Sequence, residues 1–328
     1  MLTVCISSRN RLESLTRCIK SVALISELVN EVIVVDDCSD EPLEGPLRRK
    51  LGEEFNLGLQ VIRQEENTGP CAARNLIISR ASSSFILNLD DDTVLLNSQS
   101  VKRALDLILQ DGRVGAVAFA QTDQEGAPWP SPKQPAPTEY PCYVASFIGY
   151  ACLLRREVFL ALGGYRSRFH YYGEEKEYCL RMLDAGYQVV YLPDARVVHL
   201  EDPAGRNLKR ILRLTVRNNC LSAIYNEPWA LMLVSIPARL FSYFKLKRAQ
   251  QVKDAGGLGW VIHQLVSMLP LAWQERRPLR WSTFKCWWQL NQSCPAYLVK
   301  EEYPTTTANL VKLPRRVPPV EQSEVPES

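Results

Sequence analysis

Residues 90–92 are three consecutive aspartates, Asp90-Asp91-Asp92, placed directly after the apolar run Phe85–Leu89. In an extended chain, side chains at i and i+2 project to the same side, so Asp90 and Asp92 address one ligand while Asp91 faces away. Two carboxylates converging there repel one another unless a cation or hydrogen-bond donors compensate. Hard divalent ions such as Mn²⁺ or Mg²⁺ take such oxygen ligands. Read alone, a short acidic run is more often a solvated turn or a helix cap. A second pair, Asp36-Asp37, ends the β-branched run Glu31–Val35 and is followed by Cys38-Ser39-Asp40. Two acidic strand ends in one α/β unit carry more weight, because neighbouring parallel strands bring their carboxyl ends to one edge.

Further along, His199 follows the strand-like run Ala195–Val198. A histidine in that setting packs or caps more often than it ligates. With paired aspartates in the same chain, its neutral imidazole becomes a transition-metal ligand and favours Mn²⁺ over Mg²⁺. At Glu174-Glu175-Lys176-Glu177 a helical run begins. Counted at 3.6 residues per turn, Glu175 shares an inward stripe with Cys179 and Met182, whereas Glu177 meets Arg181 in an expected solvent-side ion pair. Acid in a first helical turn also complements the dipole, which by itself accounts for all three glutamates. Arg210, Arg213 and Arg217 recur at helical spacing and suit the phosphates of a donor or of a lipid-linked acceptor.

The elements that must hold these residues follow from periodicity. Leu2–Ser7 reads as a strand, with Leu12, Leu15, Ile19 and Val22 at helical spacing after it. Glu31–Val35 and Leu59–Arg63 are further strands, and Asn67-Thr68-Gly69-Pro70 opens a helix to about Arg80, with proline suited to its first turn. Phe85–Leu89 is a strand, Val101–Leu109 a helix and Val114–Ala120 a strand again. This alternation predicts, over about residues 1–120, a doubly wound and mostly parallel sheet with its ligand site at the carboxyl edge. Six prolines between Gly126 and Pro141 predict an extended loop that shapes an acceptor groove. After it come an apolar segment, Tyr143–Leu154, a helix from about Glu174 to Ala185 stopped by Gly186, and a strand Gln188–Leu192.

With 328 residues, 46% of them apolar, the chain buries one sizeable core with a smaller appendage. The ten cysteines form no C-x-x-C pair and read as reduced core residues. No N-terminal basic stretch, apolar run and cleavage site are present, so a cytoplasmic location is expected. Net charge is +3, yet residues 205–290 carry 14 Lys/Arg against 3 Asp/Glu, together with six of the seven tryptophans. Tryptophan prefers the hydrocarbon–water boundary, so an anionic membrane surface fits this stretch better than nucleic acid. Trp229–Ala238 is far short of the roughly 20 apolar residues a membrane span needs, so helices lying in the interface are expected, peripheral on the inner face. The alternative is an ordinary helical subdomain packed on the core. The expected division is a domain at 1–225, a helical, basic, Trp-rich region at 226–303 and a disordered tail at 304–328.

Taken in order, Val4-Cys5-Ile6-Ser7-Ser8-Arg9-Asn10-Arg11, Val34-Val35-Asp36-Asp37-Cys38-Ser39, Asn67-Thr68-Gly69 with Ala73-Arg74-Asn75, and Leu89-Asp90-Asp91-Asp92 resemble the large inverting "family 2" nucleotide-sugar transferases of the GT-A fold. Gly163-Gly164-Tyr165, Gly173 to Glu177, Gly186-Tyr187 and Pro193-Asp194-Ala195 to His199 resemble that family's acceptor-side half. The resemblance spans about residues 2–220. It implies an inverting glycosyltransferase that moves a sugar from a UDP- or dTDP-sugar to a hydroxyl of a glycan or lipid-linked acceptor, with Mn²⁺ or Mg²⁺. Matched by position, Ser7, Arg11, Asp37, Arg74, Asp90 and Asp91 fall to the nucleotide sugar, with Asp37 on the base and Arg74 near phosphate or ribose. Asp92 and His199 fall to the metal, and Glu175 to the general base, where the family usually has Asp. The Gln/Arg-x-x-Arg-Trp motif of processive members is absent, and the Arg217-Asn218 pair resembles rhamnosyltransferase-like members.

Three other readings compete. Asp90-Asp91-Asp92-Thr93-Val94 fits the D-x-D-x-[TV] pattern of aspartyl phosphatases, but that motif normally sits on a first strand. A nucleotidyltransferase lacks support without a Gly-rich, Lys/Arg-containing N-terminal loop. A non-catalytic nucleotide-sugar-binding or membrane scaffold with the same fold has no need of a base.

Overall fold

A computed structural model describes residues 1–53, 55, 57–200 and 207–298 of the chain. Its first half runs β1 (Leu2–Ser8), α1 (Leu12–Val22), β2 (Val29–Asp36), α2 (Glu44–Leu51), β3 (Leu59–Arg63), α3 (Pro70–Arg80), β4 (Phe85–Asp90), β5 (Thr93–Leu95), α4 (Ser98–Gln110) and β6 (Val114–Thr122). The second half adds β7 (Cys142–Val144), β8 (Ala151–Arg155), α5 (Arg156–Ala161), α6 (Glu174–Asp184), β9 (Gln188–His199) and α7 (Leu208–Asn226). Helices α8 (Trp229–Ala249), α9 (Gly257–Gln274) and α10 (Trp281–Ser293) follow.

The strands form one sheet in the order β3-β2-β1-β4-β8-β6-β9-β5, with β7 also on β9. Strands β1 to β4 pair in parallel, as the alternating pattern predicts. The expectation of a mostly parallel sheet needs correction beyond them. Strand β8 enters antiparallel between β4 and β6, and β5 and β7 run antiparallel to β9, so the sheet is mixed. Strand β8 returns without a crossover helix of the βαβ kind, which is what a parallel neighbour requires. The single apolar segment read at Tyr143–Leu154 is two strands, β7 and β8, and the two runs read at Gln188–Leu192 and Ala195–Val198 are one strand, β9.

Both faces of the sheet are covered. On one face Val4, Ile6, Val32, Val34, Leu87, Phe119 and Leu153 pack with Leu15, Ile19, Val101 and Ile108 of α1 and α4. On the other, Cys5, Ile33, Val35, Ala118 and Leu154 pack with Ile77 of α3, Cys179 and Met182 of α6, and Val216 and Leu221 of α7. Alternation of period two along β1 decides which residue goes where, and burial on both faces explains why its sequence reads as one apolar run. Met232, Tyr243, Val261, Leu265, Phe284 and Trp287 of α8–α10 join that second cluster, so the C-terminal helices share the core. All ten cysteines carry free thiols. No helix among the described residues is long and apolar enough to cross a membrane. The tail expected to be disordered from residue 304 lies outside the described residues.

Candidate functional site

Parallel pairing puts Ser7 of β1 beside Asp90 of β4, and Ser8 beside Asp36 of β2. The carboxyl ends of three strands therefore open on one cleft of about 400 Å³, lined by Ser7, Arg11, Asp37, Arg74, Asp90, Asp91, Asp92 and His199. Of the residues that the resemblance assigns to the site, Glu175 is outside that lining; of the three arginines at helical spacing Arg210 lines it, whereas Arg213 pairs with Asp254 and Arg217 donates to the carbonyls of Arg168 and Phe169.

Asp91 lines the same cleft as the other two aspartates but is not in the group that Asp90 and Asp92 form with His199. It is buried, accepting from Ser8 Oγ and from Arg11 Nη1, both at 2.7 Å. Burial raises its pKa to about 7, although Arg11 and Ser8 oppose the rise. Arg11 spans the run, reaching Asp92 Oδ2 at 2.9 Å with its second nitrogen. Asp37 is committed as well: it accepts the backbone N–H of Thr68 at 2.8 Å and of Gly69 at 2.9 Å, which holds the turn before α3. That turn needs glycine, because Gly69 has φ +82° and a Cβ there would lie 2.5 Å from His170 Nδ1.

His199 sits at the end of β9, stacked on Tyr150 with ring centroids 5.3 Å apart. Its tautomer follows from a neighbour that the sequence did not flag. The Gln121 amide nitrogen donates to the carbonyl of Lys133, so its oxygen is left to accept from His199 Nδ1 at 2.8 Å. In the neutral ring Nε2 then carries the lone pair. It stands 3.3 Å from Asp92 Oδ1, a buried oxygen with no hydrogen-bond partner. Burial works against the Asp92 carboxylate, yet His199 and Arg11 outweigh it and hold its pKa below the ordinary value. The Pro-rich segment thus has a structural task, since Lys133 and Gln134 both fix Gln121.

Arg74, placed by the resemblance near phosphate or ribose, is 2% exposed. Its guanidinium donates to Asp90 Oδ1 and the Gly149 carbonyl, and lies 3.4 Å from Glu174 Oε1. Glu175 projects inward from α6 as its spacing predicts. An added Cβ on Gly149 would fall 2.3 Å from Glu175 Oε1 and 3.4 Å from both terminal nitrogens of Arg74, so the base candidate and the arginine flank one glycine. Burial raises the pKa of Asp90, Glu174 and Glu175, and Arg74 only partly offsets this. The expected solvent-side placement of Glu177 is wrong. Glu177 is 1% exposed, paired with Arg181 at 2.7 Å and Arg166 at 2.8 Å, and accepts from Asn226 at 3.0 Å. The i,i+4 spacing identified the pair correctly, but packing by α7 covers the side that one helix in isolation shows to water.

Five acids, Asp90, Asp91, Asp92, Glu174 and Glu175, surround two guanidiniums, those of Arg11 and Arg74. Ligand atoms of Asp90, Asp92 and His199 lie within 4.8 Å of one another, which suits a metal ion. His199 Nε2 and Asp92 Oδ1 face each other at 3.3 Å beside Asp90, and the acids outnumber the guanidiniums around them. Both features fit a divalent cation with imidazole and carboxylate ligands. The resemblance assigned Asp90 to the donor, whereas its spacing from Asp92 has both address one ligand; the fold brings the two together with His199.

The fold is α/β of the GT-A type, with the Asp-Asp-His group at a strand edge of its mixed sheet. Residues 3–163, just under half of the chain, match the model of Glycosyl transferase family 2. An uncharacterized glycosyltransferase of Haemophilus influenzae is 26% identical over 191 residues, covering 56% of this chain and 62% of that protein. A pre-mycofactocin glycosyltransferase of Mycobacterium tuberculosis is 26% identical over 216 residues, covering 60% of this chain and 42% of that protein. The chain thus spans less than two thirds of the length of both. Among solved structures, GalNAc-T7 with UDP, GalNAc and Mn²⁺ matches at TM-score 0.59 with 16% identity, over 82% of this chain and 57% of that one. The mannosyltransferase PcManGT of Pyrobaculum calidifontis, in complex with GDP-Man and Mn²⁺, matches at 0.55 with 15% identity, over 89% and 87%. At these identities the structures speak to the fold.

Proposed function

We propose that the chain is a metal-dependent inverting glycosyltransferase taking a sugar from a UDP- or dTDP-sugar to a hydroxyl of a glycan or lipid-linked acceptor. The observation that carries this reading is the acidic cleft in which ligand atoms of Asp90, Asp92 and His199 converge within 4.8 Å of one another. Asp92 and His199, with Asp90 in reach, would hold a divalent cation, which would supply positive charge for the departing diphosphate. Ser7, Arg11 and Asp37 bind the nucleotide, and Arg74 adds positive charge beside the phosphates. Glu175, its pKa raised by burial, accepts the acceptor hydroxyl proton as that oxygen attacks the anomeric carbon from the face opposite the leaving group. One displacement inverts the configuration and needs no covalent intermediate on the enzyme. The exposed tryptophans 229, 273, 281 and 288 support peripheral association of the C-terminal helices with an anionic membrane on its inner face.

A thermal-shift panel of nucleotide sugars with and without Mn²⁺ tests the donor reading. A ligand at 100 times its Kd adds about 2.7 kcal/mol of stability, so one nucleotide sugar should raise Tm by several degrees only when Mn²⁺ is present. A flat panel, or release of inorganic phosphate from simple esters, sinks it.

A further inference from the structure

We propose that a second cavity, on the flank of α7 turned away from the cleft, holds the phosphate headgroup of an anionic membrane lipid; this deepens the membrane-association reading and rests on it. Along α7, Asn207, Arg210, Ile211 and Leu214 face the donor cleft. Lys209 and Arg213, one turn apart, face the other way, into a cavity of about 530 Å³ closed by Lys247 of α8 and by Lys253 and Asp254 of the α8–α9 connection. Three lysines and an arginine thus meet one acid.

That acid is already spent. Arg213 Nε donates to Asp254 Oδ2 at 2.8 Å, the Tyr243 hydroxyl donates to the same oxygen at 2.9 Å, and the carboxylate is buried. Gly257 makes room for it, since a Cβ there would lie 1.9 Å from Asp254 Oδ2. Lys247 Nζ donates to the Asp254 backbone carbonyl at 3.0 Å. Among the described residues, no carboxylate lies at ion-pair distance from Lys209, Lys247 or Lys253. Three ammonium groups beside a single carboxylate already bonded to Arg213 and Tyr243 match the anionic oxygens of a phosphate. Membrane lipid is favoured over a dissolved anion by the exposed apolar residues of α8 and α9, the two helices whose connection lines the cavity. Phe244, one helical turn before Lys247, is 52% exposed. On α9, Ile262, Val266, Leu269 and Trp273 form an exposed stripe at i, i+4, i+7 and i+11, and Trp273 packs edge-on against exposed Trp229 at 4.8 Å. A cationic cavity at the α8–α9 connection, with an exposed apolar face running from there along α9, supplies what a lipid headgroup and its acyl chains require.

The test is flotation of the full chain with phosphatidylcholine vesicles, with and without phosphatidic acid. Wild type should float only with phosphatidic acid. At about 1 kcal/mol per basic residue near the surface, Lys209→Ala/Lys253→Ala should weaken vesicle binding by about 30-fold. Lys245→Ala/Lys285→Ala, which removes two exposed lysines of the same region outside the cavity, should stay within about threefold of wild type. Equal losses in the two double variants would mean diffuse charge and overturn the site. Saturable binding of inorganic phosphate without any vesicle binding would also overturn it, by making this a site for a dissolved anion. Both variants should keep the wild-type Mn²⁺-dependent response to nucleotide sugar. A missing response in wild type removes the transferase reading and leaves the flotation result to stand by itself.

Discussion

Two buried charge clusters share helix α6 and behave in opposite ways. Around Glu177, Arg166 and Arg181 supply two guanidiniums for one carboxylate, Asn226 adds a hydrogen bond, and the Glu177 pKa falls to about 2 although burial opposes it. Two residues away, Asp90, Glu174 and Glu175 share Arg74, the pKa of each acid rises, and Glu174 Oε2 and Arg74 Nε have no partner. In the first cluster the charges are matched, although Asn226 Oδ1 has no partner, and it holds α6 to the loop and to α7. The second cluster leaves charged groups unmatched. Buried polar groups left unmatched cost about 1–3 kcal/mol each, and among the described residues those on Asp, Glu and Arg side chains, Asp92 Oδ1, Glu174 Oε2 and Arg74 Nε, all lie in this region.

The largest expected effect is at Glu175. Glu175→Gln keeps the shape of the side chain but cannot take a proton, and should lower sugar transfer by about 10²–10⁴-fold while nucleotide affinity stays within a few-fold. Single-turnover transfer and nucleotide titration separate the two quantities; a variant that transfers normally removes Glu175 as the base.

Glu177→Gln should act on stability instead. Removing one partner of a buried pair leaves Arg181 without a countercharge and Arg166 with Glu275 alone, at about 3–5 kcal/mol, so a thermal melt should show a fall of about 10 °C or an insoluble protein. Because its pKa is depressed from 4.5 to about 2, the stability that Glu177 contributes is fully present above pH 4.5 and is lost as pH falls toward 2. Acid unfolding of wild type and Glu177→Gln should therefore converge in that window. Parallel curves would contradict the contrast between the clusters.

Gln121→Leu should reduce Mn²⁺ affinity by about 10–100-fold, since it frees the His199 ring while all three candidate ligands remain. Unchanged affinity in a metal titration followed by intrinsic fluorescence would place the ion elsewhere. The smallest effect belongs to Lys50→Ala, which removes an exposed pair with Glu13 at 2.8 Å. It should cost at most about 1 kcal/mol in a denaturant melt and less in high salt.

The strands β1 to β4, the acid pair ending β2 and the acid run ending β4 were legible because each is local: a period of two or an uninterrupted apolar run, stopped by carboxylates. Glu175 was legible because helical spacing put it on the Cys179 and Met182 stripe. Spacing along one element says which residues share a face, and it paired Glu177 with Arg181 correctly. What covers that face is set by α7, more than thirty residues downstream, so whether it meets water could not be read from the helix alone. The same limit hid Gln121, which faces His199 across the parallel β6–β9 pairing, and Gly149, which matters only because Glu175 and Arg74 arrive at its Cα from two other elements. Sequence by itself determined the kinds of groups this protein brings to a strand edge and the order in which they come. Only the tertiary structure decided which charges are answered by neighbours and which are left for a ligand, because compensation in a low-dielectric interior depends on distances between side chains far apart in the chain.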